Sequence, residues 1–400
     1  MFYKCGMNKT QNNYSSFEAK PQPPSVISRL IHLLILLGPV PNVFPQRSWR
    51  TCPQRSWWTS HLTLYASRLT LHASRLTLYA LPFTLLFSCS GNRNDLNTLT
   101  APDHFPTPPV YPDNPITEEK VELGKKLFFD ARLSGDFGVS CASCHIPQYA
   151  FSDTVAKSFG FHDRPGHRNS PSLVNIAYKP YMFKDGGVHR LETQAHGPLE
   201  NFEEMNISNK RLRDRLLQDD DYVQRFARVF DEAPTKRGVQ YALAAYQRTL
   251  IFGSSAYDRY LSKGDSALTK SQQRGMALFQ SDSLRCNRCH TGVLLTNFTF
   301  QNNGLKSHYA DSGRDKSTLN PSDAGTFSVP SLRNAAVTAP YMYDGSIKTL
   351  EGVVDHYAGG GSDHQNKSRH IKGFQLTTRQ KNDLINFLHS LTDEAFLQHD

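Results

Sequence analysis

Two Cys-x-x-Cys-His motifs constrain this chain more than any other feature. One lies in "VSCASCH" and supplies Cys141, Cys144 and His145; the other lies in "RCNRCH" and supplies Cys286, Cys289 and His290. Two thiols three positions apart at the start of a helical turn can each form a thioether to a vinyl group on one porphyrin edge. The histidine that follows then turns its imidazole to the iron as the proximal ligand. Four cysteines in two pairs could instead hold one zinc or close two disulfides. The histidine after each pair and the long separation of the pairs speak for two covalent c-type haems.

The remaining pattern is that of a mostly α chain. Thr117 reads as an N-cap with Glu118 and Glu119 in the first turn, and Leu123 and Leu127 stack one turn apart. Leu212, Leu216, Val223, Phe226 and Phe230 recur at helical spacing after a capping Ser208. Val239, Leu243, Tyr246 and Leu250 do so after Thr235, and Leu384, Leu388 and Leu391 near residue 390. Strand-like alternation is scarce. Long Gly/Pro/Asn/Ser-rich loops over roughly 135–205 and 292–345 need something internal to pack against.

An internal repeat orders these parts. "LGKKLFFDARLSGDFGVSCASCH" is echoed by "RGMALFQSDSLRCNRCH", and "RNSPSLVNIAYKPYMFKDGGVHRLE" by "VPSLRNAAVTAPYMYDGSIKTLE". The expectation is two cytochrome c-like domains from a duplication, each wrapping one haem. The first spans 117–252 and the second 253–400, with 89–116, rich in Pro, Asn, Asp and Thr, as a tether.

The first 88 residues differ from the rest. "PQRSW" occurs twice, and "LTLYASRLTLHASRLTLYAL" is close to a seven-residue repeat, as upstream DNA read from an early start codon would give. The run "LYALPFTLLFSCSGNRND" has the length of an export signal, and its Leu-Phe-Ser-Cys end resembles a bacterial lipoprotein box, with Cys89 as the lipidated residue. That reading sends the chain to the periplasm or cell envelope, held to the membrane through a lipid alone.

Net charge is +9, yet residues 1–88 hold nine Lys/Arg against the single acid Glu18. The remainder is nearly balanced, so composition gives no support to a nucleic-acid partner.

The runs "LGKKLFFDARLS…SCASCH", "HRNSPSLVNIAY", "DGG…LETQAHGPLENFEEM", "VPSLRNAAVTAPYMYDGS" and "TLEGVVDHYAGGG" resemble the bacterial di-haem cytochrome c peroxidase family, including its MauG-type branch. The resemblance covers about residues 117 to 390. It implies that the His145 haem reacts with hydrogen peroxide, with Gln194 and Glu204 as distal groups, and that the His290 haem relays electrons from a small donor, a cytochrome c or cupredoxin.

The resemblance also implies His162, with His167 second, as a resting sixth ligand of the first haem. It places Asn169, Thr338 and Pro340 around an inter-domain calcium ion. The second haem's sixth ligand falls at Tyr357, as in the MauG-type branch, with Met342 as competitor. His196 reads as structural. Two positions depart from the family: Lys184 stands where a Trp usually lies between the haems, and Leu284 stands where MauG-type quinone biogenesis relies on a surface Trp. A peroxidase is therefore expected first, a MauG-type oxidase second and a non-enzymatic di-haem carrier third. Homodimerisation is left open.

Overall fold

The computed structural model describes residues 99–109 and 111–398. The expected leader, its cleavage box and Cys89 lie outside the described residues. Those described belong to one compact, mostly helical unit. None of their helices is long and apolar enough to cross a membrane.

Helix α1 (Glu118–Phe128) starts as its sequence suggests: the Thr117 hydroxyl accepts from the Lys120 N–H, with acids in the first turn and lysines in the last. The run after Ser208 breaks into two helices, α2 (Asn209–Leu217) and α3 (Asp220–Phe230). Asp219 causes the break, since its carboxylate accepts from the N–H groups of Asp221 and Tyr222 and so caps a new helix. The register shifts with it, and Tyr222 rather than Val223 is fully buried. Then follow α4 (Lys236–Arg248) behind its Thr235 cap, α5 (Ala256–Lys263) and α6 (Lys270–Gln280). Helices α7 (Leu350–Ala358) and α8 (Thr378–His389) close the order.

Two large apolar cores form, with smaller clusters beside them. In the first, Leu123, Leu127 and Phe128 of α1 pack against Val239, Leu243 and Tyr246 of α4, with Phe226 of α3 beside them. In the second, Phe279 of α6 packs against Leu384, Phe387 and Leu388 of α8. Each helix crossing depends on a glycine. A Cβ on Gly124 would stand 2.0 Å from the Ala242 carbonyl oxygen, and one on Gly275 would stand 1.9 Å from that of Asp383.

The loops correspond as well. Asn175 and Asn334 both adopt left-handed backbone, at φ 61° each. The side-chain oxygen of Asn175 accepts from the Phe252 N–H at 3.0 Å, and that of Asn334 from the Asp393 N–H at 2.7 Å. Met182 pairs with Val188, and Tyr341 with Ile347, at the same offset in numbering. The repeated Pro-Tyr-Met string is therefore out of step by one. Met342 corresponds in space to Phe183, both with positive φ, and not to Met182.

Among the described residues, extended structure is confined to β1 (Phe300–Gln301) paired antiparallel with β2 (Phe327–Ser328), apart from isolated bridges. The stretch expected as a tether is packed from Leu99 onward. Phe105 is buried beside Tyr178, and Asn114, only 1% exposed, donates to Glu192 at 3.0 Å. Proline and asparagine serve here to turn the chain and satisfy buried groups, which composition alone does not distinguish from a solvated linker. Phe396, numbered within the second expected domain, sits in the first core with its ring 6.3 Å from that of Phe252.

Candidate functional site

Cys141 and Cys144 lie on a single helical turn, Cys141–Cys144, whose start is tightened where the Ser143 hydroxyl accepts from the Ser140 N–H. His145 follows directly. Its ring is half-buried, and its Nδ1–H donates to two carbonyl oxygens, Phe151 at 3.0 Å and Pro171 at 3.1 Å. Because carbonyls can only accept, the proton is fixed on Nδ1 and Nε2 is left with its lone pair.

The second motif repeats the device. His290 Nδ1–H donates to Leu295 at 3.2 Å, and the Pro330 carbonyl also takes part. Phe151 and Leu295 both have positive φ, 56° and 52°, a backbone arrangement shared by the two loops. Burial keeps both imidazoles neutral, pushing His290 down to about 4. A neutral imidazole with an anchored Nδ1–H is the form that ligates iron. The thiols are free, and burial pushes Cys141 and Cys286 up to about 12. Cys141 packs on the first core and Cys286 on the second, so the four sulfurs do not converge on one ion as in a zinc ribbon.

A cavity of about 360 Å³ opens beside the second motif. Cys286, Cys289 and His290 share its wall with Phe279, Leu294, Phe298, Val354 and Leu388. Such an apolar lining with a histidine at its edge fits a porphyrin. Tyr357, near the end of α7, and Met342 both line the same space. Burial pushes the Tyr357 phenol up to about 12, opposed by an amide hydrogen bond from Asn303. The same Asn303 Nδ2 lies 3.1 Å from the Met342 sulfur, and its carbonyl oxygen lies 3.0 Å from His356 Nε2. Asn303 thus holds both candidate ligands, and no motif in the sequence marks it.

Glu204 is exposed at the surface near the first motif, and its carboxylate lies within the field of both Cys141 and Cys144. Its pKa is raised by the desolvation that surrounding protein imposes and by the neighbouring Glu203, against the lowering effect of an amide hydrogen bond from Asn201 at 2.8 Å. Asn201, three residues earlier in "ENFEEM", is a second functional residue that the sequence reading missed. Gln194 ends the turn Leu191–Gln194 and is half-buried; the hydrogen bond holding Glu204 comes from Asn201.

His162 occupies the tip of a small hairpin closed by the Phe159–Pro165 bridge, at φ 54°. It stacks on Phe161, its N–H donates to Asp136, and its ring is 63% exposed. The hairpin touches both motif and acid, since Phe161 N–H donates to the Glu204 carbonyl oxygen and the Cys144 sulfur lies 4.0 Å from the Phe159 carbonyl oxygen. His167 pairs instead with Glu203 at 2.7 Å, and His196 with Lys236 and Glu200 on the surface.

Asn169, Thr338 and Pro340 all line the cavity. Asn169 donates to the Val155 carbonyl oxygen and, through its N–H, to that of Tyr343. Among the described residues no group of three His, Cys, Asp or Glu side chains is placed to hold a metal ion. Lys184 lines the wall too. Its ammonium donates to the Met342 carbonyl oxygen at 3.3 Å and is pushed down to about 7 by burial, then by Lys179 and Arg168.

A family model described as di-haem cytochrome c peroxidase matches residues 118–267. Methylamine utilization protein MauG of Methylorubrum extorquens is 37% identical over 324 residues, covering 77% of this chain and 90% of that protein. Cytochrome-c peroxidase IdrP1 of a Pseudomonas species is 35% identical over 347 residues, covering 78% and 91%. The crystal structure of a MauG-like protein associated with microbial copper homeostasis superposes with a TM-score of 0.71 at 35% identity, covering 74% of this chain and 95% of that one. Agreement over nine-tenths of the MauG relative's length leaves no second assignment open: the chain belongs to the di-haem cytochrome c peroxidase family.

Proposed function

We propose that this protein reduces hydrogen peroxide to water at the His145 site, with electrons that enter at the His290 site from a small redox protein. The observation that carries this reading is the position of Glu204. It is an ionisable carboxylate at the surface, raised in pKa, whose charge is felt by the thiols of one motif only. The second motif faces Tyr357 and Met342 instead. One site is thus equipped to move protons and the other to hold a redox centre closed.

A c-type haem joined to Cys141 and Cys144 and ligated by His145 supplies the redox chemistry when bound. Around it, Glu204 takes the proton from the near peroxide oxygen and returns it to the far one, which departs as water. Gln194 orients peroxide, and Asn201 keeps the Glu204 carboxylate ionised and aimed. The His162 hairpin, joined to the Glu204 backbone, is placed to gate access. Asn169, Thr338 and Pro340 supply only neutral oxygens, so a calcium ion there is held weakly. The paired cores, histidine anchors and asparagine turns support a duplicated domain. Export to the periplasm and a lipid anchor at Cys89 complete the proposal.

A second reading, a MauG-type oxidase, draws support from the enclosed Tyr357. The discriminating experiment is addition of peroxide to the ferric and half-reduced forms of the holoprotein, followed by absorbance and EPR. Reaction of the half-reduced form alone, restored by a reduced small cytochrome, fits the peroxidase. Direct reaction of the ferric form with a long-lived two-equivalent oxidised state selects the oxidase.

A further inference from the structure

The two motifs differ in charge. The first reads Val-Ser-Cys-Ala-Ser-Cys-His and is neutral around its cysteines, whereas the second reads Leu-Arg-Cys-Asn-Arg-Cys-His. Arg285 and Arg288 therefore flank, by connectivity alone, the edge at which Cys286 and Cys289 attach a haem.

The structure adds a second group of cations to this edge. Arg285 and His370 line the cavity together with Cys286, Cys289 and the apolar Ile371 and Phe374. Arg369 and Lys372, on either side of His370, are exposed. The spatial cluster is confirmed at His370, whose pKa is lowered by burial and then by Arg369, Arg285, Arg288 and Lys372 together. Asp282 is ion-paired with Arg288 at 2.6 Å and offsets one of these charges, leaving a net positive rim around an apolar floor. An apolar centre with a charged rim is the anatomy of a small transient interface.

We propose that this rim is the docking surface for an acidic electron-transfer protein, which delivers electrons at the Cys286/Cys289 edge. The inference rests on the reading of the His290 site as the point of electron entry. Each encounter oxidises one donor by one electron. Two encounters and two protons convert one peroxide to two waters. Guanidinium groups suit the task, because they are weakly hydrated and pair with carboxylates through two hydrogen bonds at once. Opposite charge steers the encounter and makes its rate fall with salt.

The test uses the holoprotein and stopped-flow reduction of the second haem by two reduced probes, an acidic cytochrome c and a basic one. Ionic strength is varied from about 10 to about 150 mM, across which the Debye length falls from about 30 Å to about 8 Å. The acidic probe should react faster at low salt and slow by about tenfold as salt rises. The variant Arg369→Gln/Lys372→Gln should lose about tenfold with the acidic probe at low salt and show a flatter salt dependence, while reduction by uncharged hydroquinone stays unchanged. Faster reaction of the basic probe, or an unaltered rate in the variant, overturns the proposal. Peroxide consumption with hydroquinone is followed separately. Its absence alongside salt-dependent electron entry would sink the peroxidase reading and leave the docking surface standing.

Discussion

Asn201 donates a 2.8 Å hydrogen bond to the carboxylate of Glu204. Desolvation raises the Glu204 pKa and this bond is the largest influence lowering it. In the proposed mechanism the base form is the active one. Peroxide turnover should therefore fall as pH drops through a value above the ordinary carboxylate range. Asn201→Ala removes a lowering influence, and the acidic limb of kcat/KM should move to higher pH. Glu204→Gln should abolish that limb and cost about a hundredfold or more in turnover. A limb that stays in place in Asn201→Ala would separate Glu204 from the proton transfer.

Tyr357 and Met342 share the second cavity and the amide of Asn303. Tyr357→Phe should change the absorbance and EPR of the second haem and shift its potential upward, since a phenolate favours the ferric state. Met342→Leu should leave those spectra unchanged. The reverse pattern makes Met342 the ligand.

The glycines at the helix crossings predict matched losses. Gly124→Ala and Gly275→Ala each place a methyl group within 2.0 Å of a backbone oxygen, which cannot swing aside as a flexible side chain can. Each should lower stability by about 1–3 kcal/mol or more by forcing the helices apart. Thermal denaturation of the holoprotein measures both.

Glu192 and Arg248 form a buried ion pair, 1% and 2% exposed, with Asn114 also donating to the acid. Arg248→Met leaves the buried carboxylate with only Asn114 and the longer Arg190 contact at 3.4 Å, and should cost up to about 3–5 kcal/mol in chemical denaturation. Glu192→Met/Arg248→Met should cost less than the single change, because the stranded charge is gone.

Lys184 occupies the wall where the family resemblance expects a tryptophan. Lys184→Trp should speed electron equilibration between the haems in flash or stopped-flow experiments. An unaltered rate would put the path elsewhere, with Tyr181, whose ring lies 6.1 Å from Phe300, as the next residue to change.

Both histidine sites and most helix starts could be read from the sequence because each rests on a local signal. Cysteine spacing fixes the first, and a hydroxyl before an acidic or apolar turn fixes the second. The break at Asp219 was hidden because apolar spacing continued across it, although a single capping carboxylate outweighs that periodicity. Asn201 and Asn303 were hidden for another reason: an asparagine in a loop gains its role only from what folding brings to its amide. The repeated Pro-Tyr-Met string invites an equivalence of Met342 with Met182 that the backbone does not respect, since the bridges at Val188 and Ile347 fix the true register.

Phe396 has a consequence for the order of assembly. Its ring completes the core on which Cys141 packs, yet Phe396 lies beyond the second cysteine motif along the chain. A first half folding by itself has a seam open beneath its cysteine pair. That core closes only when chain from beyond the second motif joins it.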